Sequence, residues 1–211
     1  MGFILSCATT PLRIDNLIIT INQLKCKYKY FVINVCQEYK RFGKFKIPKQ
    51  LLLLKQSNKR VIINFVDDYG PVCKYIGGFN FMKKNSYLDD HLIIIDDDIC
   101  YSKELFYELM DSKTTTNITT GSGFNYSLEQ DYICKIGSAE MVEGYAGICF
   151  NYDDSNDFIL WYSNFYRFLN FKDDSDSIIN KYLCASFLGD DFIISYMYQD
   201  KYAIKNGRSY I

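Results

Sequence analysis

The chain has 211 residues and a formal net charge of -1, with 48% apolar and 23% charged residues. That balance excludes a chain disordered throughout, and a protein that holds nucleic acid by bulk positive charge. No stretch reaches the roughly 18 apolar residues of a membrane span, and residues 1–7 lack the basic leader of a signal peptide.

Short apolar runs and helical patterns alternate along the chain. Phe3 to Cys7 is the first predicted strand. Thr9-Thr10-Pro11-Leu12-Arg13 follows it and opens a helix predicted over Arg13 to Leu24, with Ile14, Leu17, Ile18 and Ile21 on one face. Helix N-termini bind anions, and Arg13 adds a planar positive fork. Tyr30 to Val35 and Val61 to Val66 are the next strands, nearly continuous in apolar character, as expected of strands covered on both faces. Asp67-Asp68-Tyr69-Gly70-Pro71-Val72-Cys73-Lys74 then makes a turn, from which Lys74 can reach a phosphate.

The strongest signal comes next. A strand over Leu92 to Ile95 runs straight into Asp96-Asp97-Asp98. Ligand sites of open α/β sheets lie at the carboxyl ends of strands. Three adjacent carboxylates repel, so something must offset them, and a divalent cation with hard oxygen ligands does so. On an extended chain Asp96 and Asp98 share a face. A helix over Ser102 to Met110 follows, capped by Ser102. Glu143-Gly144-Tyr145-Ala146-Gly147 is a glycine-rich turn with one acid and one ring. Further helices are predicted over Ile159 to Leu169 and Asp190 to Tyr198. The last opens at Gly189-Asp190-Asp191, where a carboxylate either caps the helix or takes a proton. Two acidic stretches, Asp153 to Asp157 and Asp173 to Ser177, read as solvated turns. The eight cysteines have no paired ligand spacing and mostly sit in apolar runs, as at Cys100, Cys149 and Cys184, so buried reduced thiols are expected.

Strands alternating with helices predict an α/β fold. The order Thr-Thr-Pro-x-Arg, Asp-Tyr-Gly-Pro-x-x-Lys, strand-Asp-Asp-Asp, Glu-Gly-Tyr-x-Gly and Gly-Asp-Asp resembles the GT-A glycosyltransferases found in bacteria and large DNA viruses, over about Phe3 to Tyr198. The resemblance implies a single domain over 1–211, with a mixed central β-sheet flanked by helices. A Rossmann-like nucleotide half would span about 1–100 and an acceptor half about 101–211, in a chain that could be one domain of a longer one. It implies transfer of a hexose or deoxyhexose from a UDP-sugar to a glycan or glycoprotein hydroxyl, with Mn²⁺ or Mg²⁺, in the cytoplasm (the host's, if viral). By that resemblance Asp98 binds the metal directly, and Asp96 contacts the ribose or the metal's water. Thr9, Arg13, Asp68, Lys74, Asp96 and Asp97 line the nucleotide-sugar pocket. Glu143 and Asp190 or Asp191 face the transferred sugar and the acceptor. Many family members add a C-terminal His ligand; the one histidine here is His91, ahead of the Asp strand. Lys205 and Arg208 are alternative phosphate contacts from the tail. A nucleotidyltransferase and a non-catalytic nucleotide-sugar binding module are the competing readings.

Overall fold

The computed structural model describes residues 2–113, 118–125, 133–134, 137–138, 141–156, 158–159, 162, 190–198 and 201–203. The chain begins with β1 (Phe3–Ala8), α1 (Ile14–Gln23) and β2 (Tyr30–Cys36). A small hairpin of β3 (Glu38–Tyr39) and β4 (Gly43–Lys44) leads to α2 (Lys49–Ser57) and β5 (Val61–Val66). A 3₁₀ turn, Gly70–Val72, then opens α3 (Cys73–Lys84), followed by β6 (His91–Ile94) and α4 (Lys103–Asp111). Short strands follow: β7 (Ile118–Thr120), β8 (Gly123–Asn125), β9 (Ile133–Cys134), β10 (Gly137–Ser138), β11 (Met141–Val142) and β12 (Ile148–Phe150). Helix α5 (Asp190–Met197) and β13 (Lys201–Ala203) come last among the described elements.

Among the described residues, eight strands form one sheet in the order β10-β13-β7-β12-β6-β1-β2-β5. The four strands from β6 to β5 are parallel. Strand β12 is antiparallel to both β6 and β7, which makes the sheet mixed. Alternation along β1 explains the layers. Phe3, Leu5 and Cys7 face one side with Leu17 and Ile21 of α1, Leu51 of α2 and Leu105 of α4. Ile4 faces the other side with Tyr75, Phe79 and Met82 of α3. Each such fully buried apolar side chain contributes ~1.5–3 kcal/mol relative to exposure. Helices therefore cover both faces, and the chain is a mixed α/β protein as its residue pattern predicts.

The connections place the site. From β1 the chain steps outward to β2 and β5, then returns past β1 to β6. The direction of winding reverses between β1 and β6, and the crevice at the carboxyl ends of those two strands is where such sheets bind ligands. This is the strand order of a Rossmann-like nucleotide-binding half.

Four predicted strands and three predicted helices match described elements within a few residues, and Ser102 Oγ accepts from Leu105 N at 3.3 Å as the cap of α4. Helix α3 is absent from the sequence reading. Its Gly77 and Gly78 look like helix breakers, yet both are required: a Cβ at Gly77 would lie 1.8 Å from Asn34 Oδ1, and one at Gly78 would lie 2.8 Å from Ser6 Oγ. The helix lies that close to β1 and β2. Strand β5 is a sheet edge and only partly covered, with Phe65 exposed, so its apolar run overstates its burial. Cys149 is buried as expected, whereas Cys100 is exposed at the turn before α4, and Cys184 lies outside the described residues. The predicted helix at Ile159 to Leu169, the acidic stretch at Asp173 to Ser177, and Lys205 and Arg208 also lie outside them, apart from Ile159 and Tyr162. Asp154, in the first acidic stretch, is not free in solvent. Its Oδ2 accepts from Asn151 N at 2.7 Å and pairs with Lys113 at 3.2 Å.

Candidate functional site

A cavity of about 350 Å³ opens at the carboxyl ends of β1 and β2, within the size range of small-molecule sites. Thr9, Arg13, Asp68, Lys74, Asp96 and Asp97 all line it. These residues come from separate loops and from α3, and the parallel strands bring their loops together.

A buried polar ladder fixes the floor. Asn64 Nδ2 donates to Asn34 Oδ1 at 2.8 Å, Asn34 Nδ2 donates to Ser6 Oγ at 2.8 Å, and Ser6 Oγ donates to the Lys74 carbonyl at 2.6 Å. Asn34 also donates to the Cys7 carbonyl at 2.8 Å. The ladder ties β5, β2 and β1 to the start of α3, and so sets the height of Lys74 above the sheet. Sequence reasoning passed over these residues. The available signal was a lone polar residue inside each apolar strand.

Lys74 is the centre of the site. Its ammonium lies 2.7 Å from Asp96 Oδ1 and 2.7 Å from Asp190 Oδ2, with 6% of its side chain exposed. Burial alone would lower its pKa, but the two carboxylates overcome this and hold it above the ordinary lysine value. Asp190, the first residue of α5, is thus joined to a loop 94 positions earlier in the chain.

Asp96 to Asp98 do not sit on an extended strand. Strand β6 ends at Ile94 and the three acids lie on the turn beyond it, so the alternation expected of Asp96 and Asp98 fails. Asp96 turns to Lys74, while Asp97 and Asp98 share Arg13, the first pair at 2.7 Å. The mutual repulsion is offset first by these two side-chain cations. Asp97 is buried, and burial pushes its carboxyl up to about 6 against the pull of the Thr9 hydroxyl and Arg13. The backbone of the turn is pinned as well: Asp96 N donates to Tyr101 Oη at 2.9 Å, and Tyr101 Oη donates to the Tyr145 carbonyl at 2.9 Å.

That last bond joins the Asp turn to the glycine-rich turn. Gly144 N donates to Asp191 Oδ1 at 2.9 Å. A Cβ at Gly144 would lie 2.5 Å from that oxygen and 3.5 Å from Lys74 Nζ, so only glycine fits between them. Burial, then the neighbouring Asp190, pushes the Asp191 carboxyl up to about 7. Glu143 accepts from Ser122 Oγ and, at 3.4 Å, from Tyr145 Oη.

The sequence-predicted residues thus fall into two groups. Thr9, Arg13, Asp68, Lys74, Asp96 and Asp97 share the cavity. Asp190 reaches it through Lys74 and Asp191 follows it, bonded to Gly144 N, while Glu143 and Asp98 are not on the cavity wall. Both oxygens of Asp68 are engaged by backbone: Oδ2 accepts from Lys40 N at 2.7 Å and Oδ1 from Gly70 N at 3.0 Å. His91 is buried at the opposite end of β6 from the Asp turn, and so stands apart from it. Tyr39, Arg41 and Phe42 of the β3–β4 hairpin also line the cavity and were not legible in the sequence. Tyr39 is anchored by donating to the Thr9 carbonyl at 2.7 Å.

No family model matches the chain, and no curated protein matches it. Among solved structures it is similar to a 4-diphosphocytidyl-2C-methyl-D-erythritol synthase, with a TM-score of 0.41 and 8% identity over 64% of this chain and 68% of that one. At that level the likeness adds nothing about chemistry, and the fold rests on the strand order itself. Among the described residues no helix is long and apolar enough to cross a membrane.

Proposed function

We propose that the chain is a glycosyltransferase that moves a hexose or deoxyhexose from a UDP-sugar to a hydroxyl of a glycan or glycoprotein acceptor. The observation that carries this reading is Lys74, a buried cation on the wall of the switch-point cavity that also holds Asp190, next to Asp191. One ammonium thereby links the place for a diphosphate to the place for an acid–base group. The division into a nucleotide half over 1–100 and an acceptor half over 101–211 follows the same line: Arg13 and Lys74 come from the first, Glu143, Asp190 and Asp191 from the second.

In this reading the nucleotide lies along the β1 and β5 loops, between Thr9, Asp68 and Asp97. Arg13 and Lys74 face its phosphates, where negative charge grows as the glycosidic bond breaks. The acceptor oxygen attacks the anomeric carbon, and the bonding pair leaves with UDP. Asp191 takes the acceptor proton. Its carboxyl, held at about 7, suits a base that works near neutrality. Asp190 keeps Lys74 in place, and Glu143 orients the sugar.

Five carboxyl groups, Asp96, Asp97, Asp98, Asp190 and Asp191, share two cations, Arg13 and Lys74. These hard oxygen donors suit Mn²⁺ or Mg²⁺, which Asp98 and Asp96 would hold once their carboxylates turn from Arg13 and Lys74; as they stand, no three of these acids converge among the described residues. Such an ion supplies further charge stabilisation for the leaving diphosphate.

The test is UDP release from a panel of UDP-sugars, with Mn²⁺, Mg²⁺ or chelator. Release from one donor is expected, with Asp98→Ala and Asp191→Asn losing ~10²-fold or more in turnover while remaining folded. Pyrophosphate in place of UDP would turn the assignment to nucleotidyl transfer. Donor binding without any turnover, even with acceptors present, would leave a binding module.

A further inference from the structure

The cavity wall carries two buried thiols that sugar transfer does not use. Cys36 ends β2 and Cys73 begins α3, and Asp68 lies in the loop between β5 and α3. One ligand atom of each, two sulfurs and a carboxylate oxygen, lie within 4.8 Å of one another. Among the described residues no other trio of His, Cys, Asp or Glu converges in this way.

The trio has the features of a built metal site. A tetrahedral zinc with ~2.3 Å bonds to sulfur holds two sulfurs ~3.8 Å apart, within the spread seen here. The ligands are oriented by outer partners. The Cys73 thiol donates to the Asp67 carbonyl at 3.3 Å, a bond that a metal–sulfur bond would replace. Cys73 Sγ accepts from Tyr69 N at 3.3 Å, and Asp68 is fixed by Lys40 N at 2.7 Å and Gly70 N at 3.0 Å. Such bonds aim ligands without using up the remaining lone pairs of a carboxylate. Both cysteines stand on regular secondary structure, and all three residues line the open cavity, so an ion can enter. Two sulfurs and one oxygen select a thiophilic ion over the Mn²⁺ or Mg²⁺ that suits the Asp turn.

We propose that Cys36, Cys73 and Asp68 bind a thiophilic divalent cation of the zinc type, with the fourth coordination position open to the cavity. The two thiols give up their protons to solvent as the metal–sulfur bonds form. The site shares Asp68 and the cavity with the proposed nucleotide pocket, and a metal titration without any sugar donor reads it separately from sugar transfer.

The experiment uses the full reduced chain, freed of metal and titrated with Zn²⁺ against a chromophoric chelator, then with Co²⁺ under optical absorption. A single tight equivalent is expected, with a sulfur-to-cobalt charge-transfer band and the visible bands of a tetrahedral ion. Cys36→Ser and Cys73→Ser each lose both signals. Cys100→Ser, which removes an exposed thiol elsewhere, keeps them. Asp68→Asn, which removes only a charge and leaves both thiols, weakens zinc by at least ~10-fold and keeps the variant set informative if a Ser variant misfolds. Wild-type affinity in the Cys36 and Cys73 variants, or no tight equivalent in the reduced wild-type chain, overturns the proposal.

Discussion

The two ends of the sheet make an instructive contrast. On one side, β6, β1, β2 and β5 run parallel, with helices on both faces and one continuous polar ladder from Asn64 to Lys74. On the other, β12, β7, β13 and β10 are two or three residues long, and β12 is antiparallel to its neighbours. The parallel side supplies Arg13, Lys74 and Asp96 to Asp98 from loops held by full-length strands. The side of short, mixed strands supplies Glu143 and, through α5, Asp190 and Asp191. The lesson is that one side is a frame and the other a delivery of acids, and that Lys74 is the bolt between them.

Removing that bolt is the largest expected effect. Lys74→Met leaves Asp96 and Asp190 without their shared cation, and taking one partner from a buried ion pair costs ~3–5 kcal/mol. Chemical denaturation would measure it. If the loss is under ~1 kcal/mol, the two sides do not depend on Lys74 for their union. Gly144→Ala strikes the same seam from the acid side. Its Cβ would lie 2.5 Å from Asp191 Oδ1, so overpacking of ~1–3 kcal/mol is expected, together with loss of the Gly144–Asp191 bond. A stability equal to wild type would mean that α5 yields readily and is not held by this turn.

The smallest effect sharpens the contrast through pH. Asp191 is pushed from 3.8 to about 7 by burial and by Asp190, so the folded chain holds that proton more firmly than the unfolded chain. The stability this contributes is therefore fully present below about pH 4 and is lost as pH rises to about 7. Asp191→Asn should flatten the fall in denaturation midpoint over that window. Asp97, pushed up to about 6, should keep part of the slope in the variant. An unchanged slope in Asp191→Asn would remove Asp191 as the elevated group.

The sequence by itself determined the parallel frame. Four apolar runs with strand character, and two helices at 3.6-residue spacing, declare themselves because burial on both faces leaves a local imprint. It also marked the acids and cations that gather at the strand ends. The tertiary structure decided their pairing. Nothing local says that Arg13 meets Asp97 and Asp98, or that Lys74 spans Asp96 and Asp190. It also made a helix of Cys73 to Lys84, whose glycines are a cost to an isolated helix and a necessity against Asn34 and Ser6. The short strands on the other side of the sheet stayed hidden for a related reason. At two or three residues they carry no period of their own, and their pairing comes from neighbours far away in the chain.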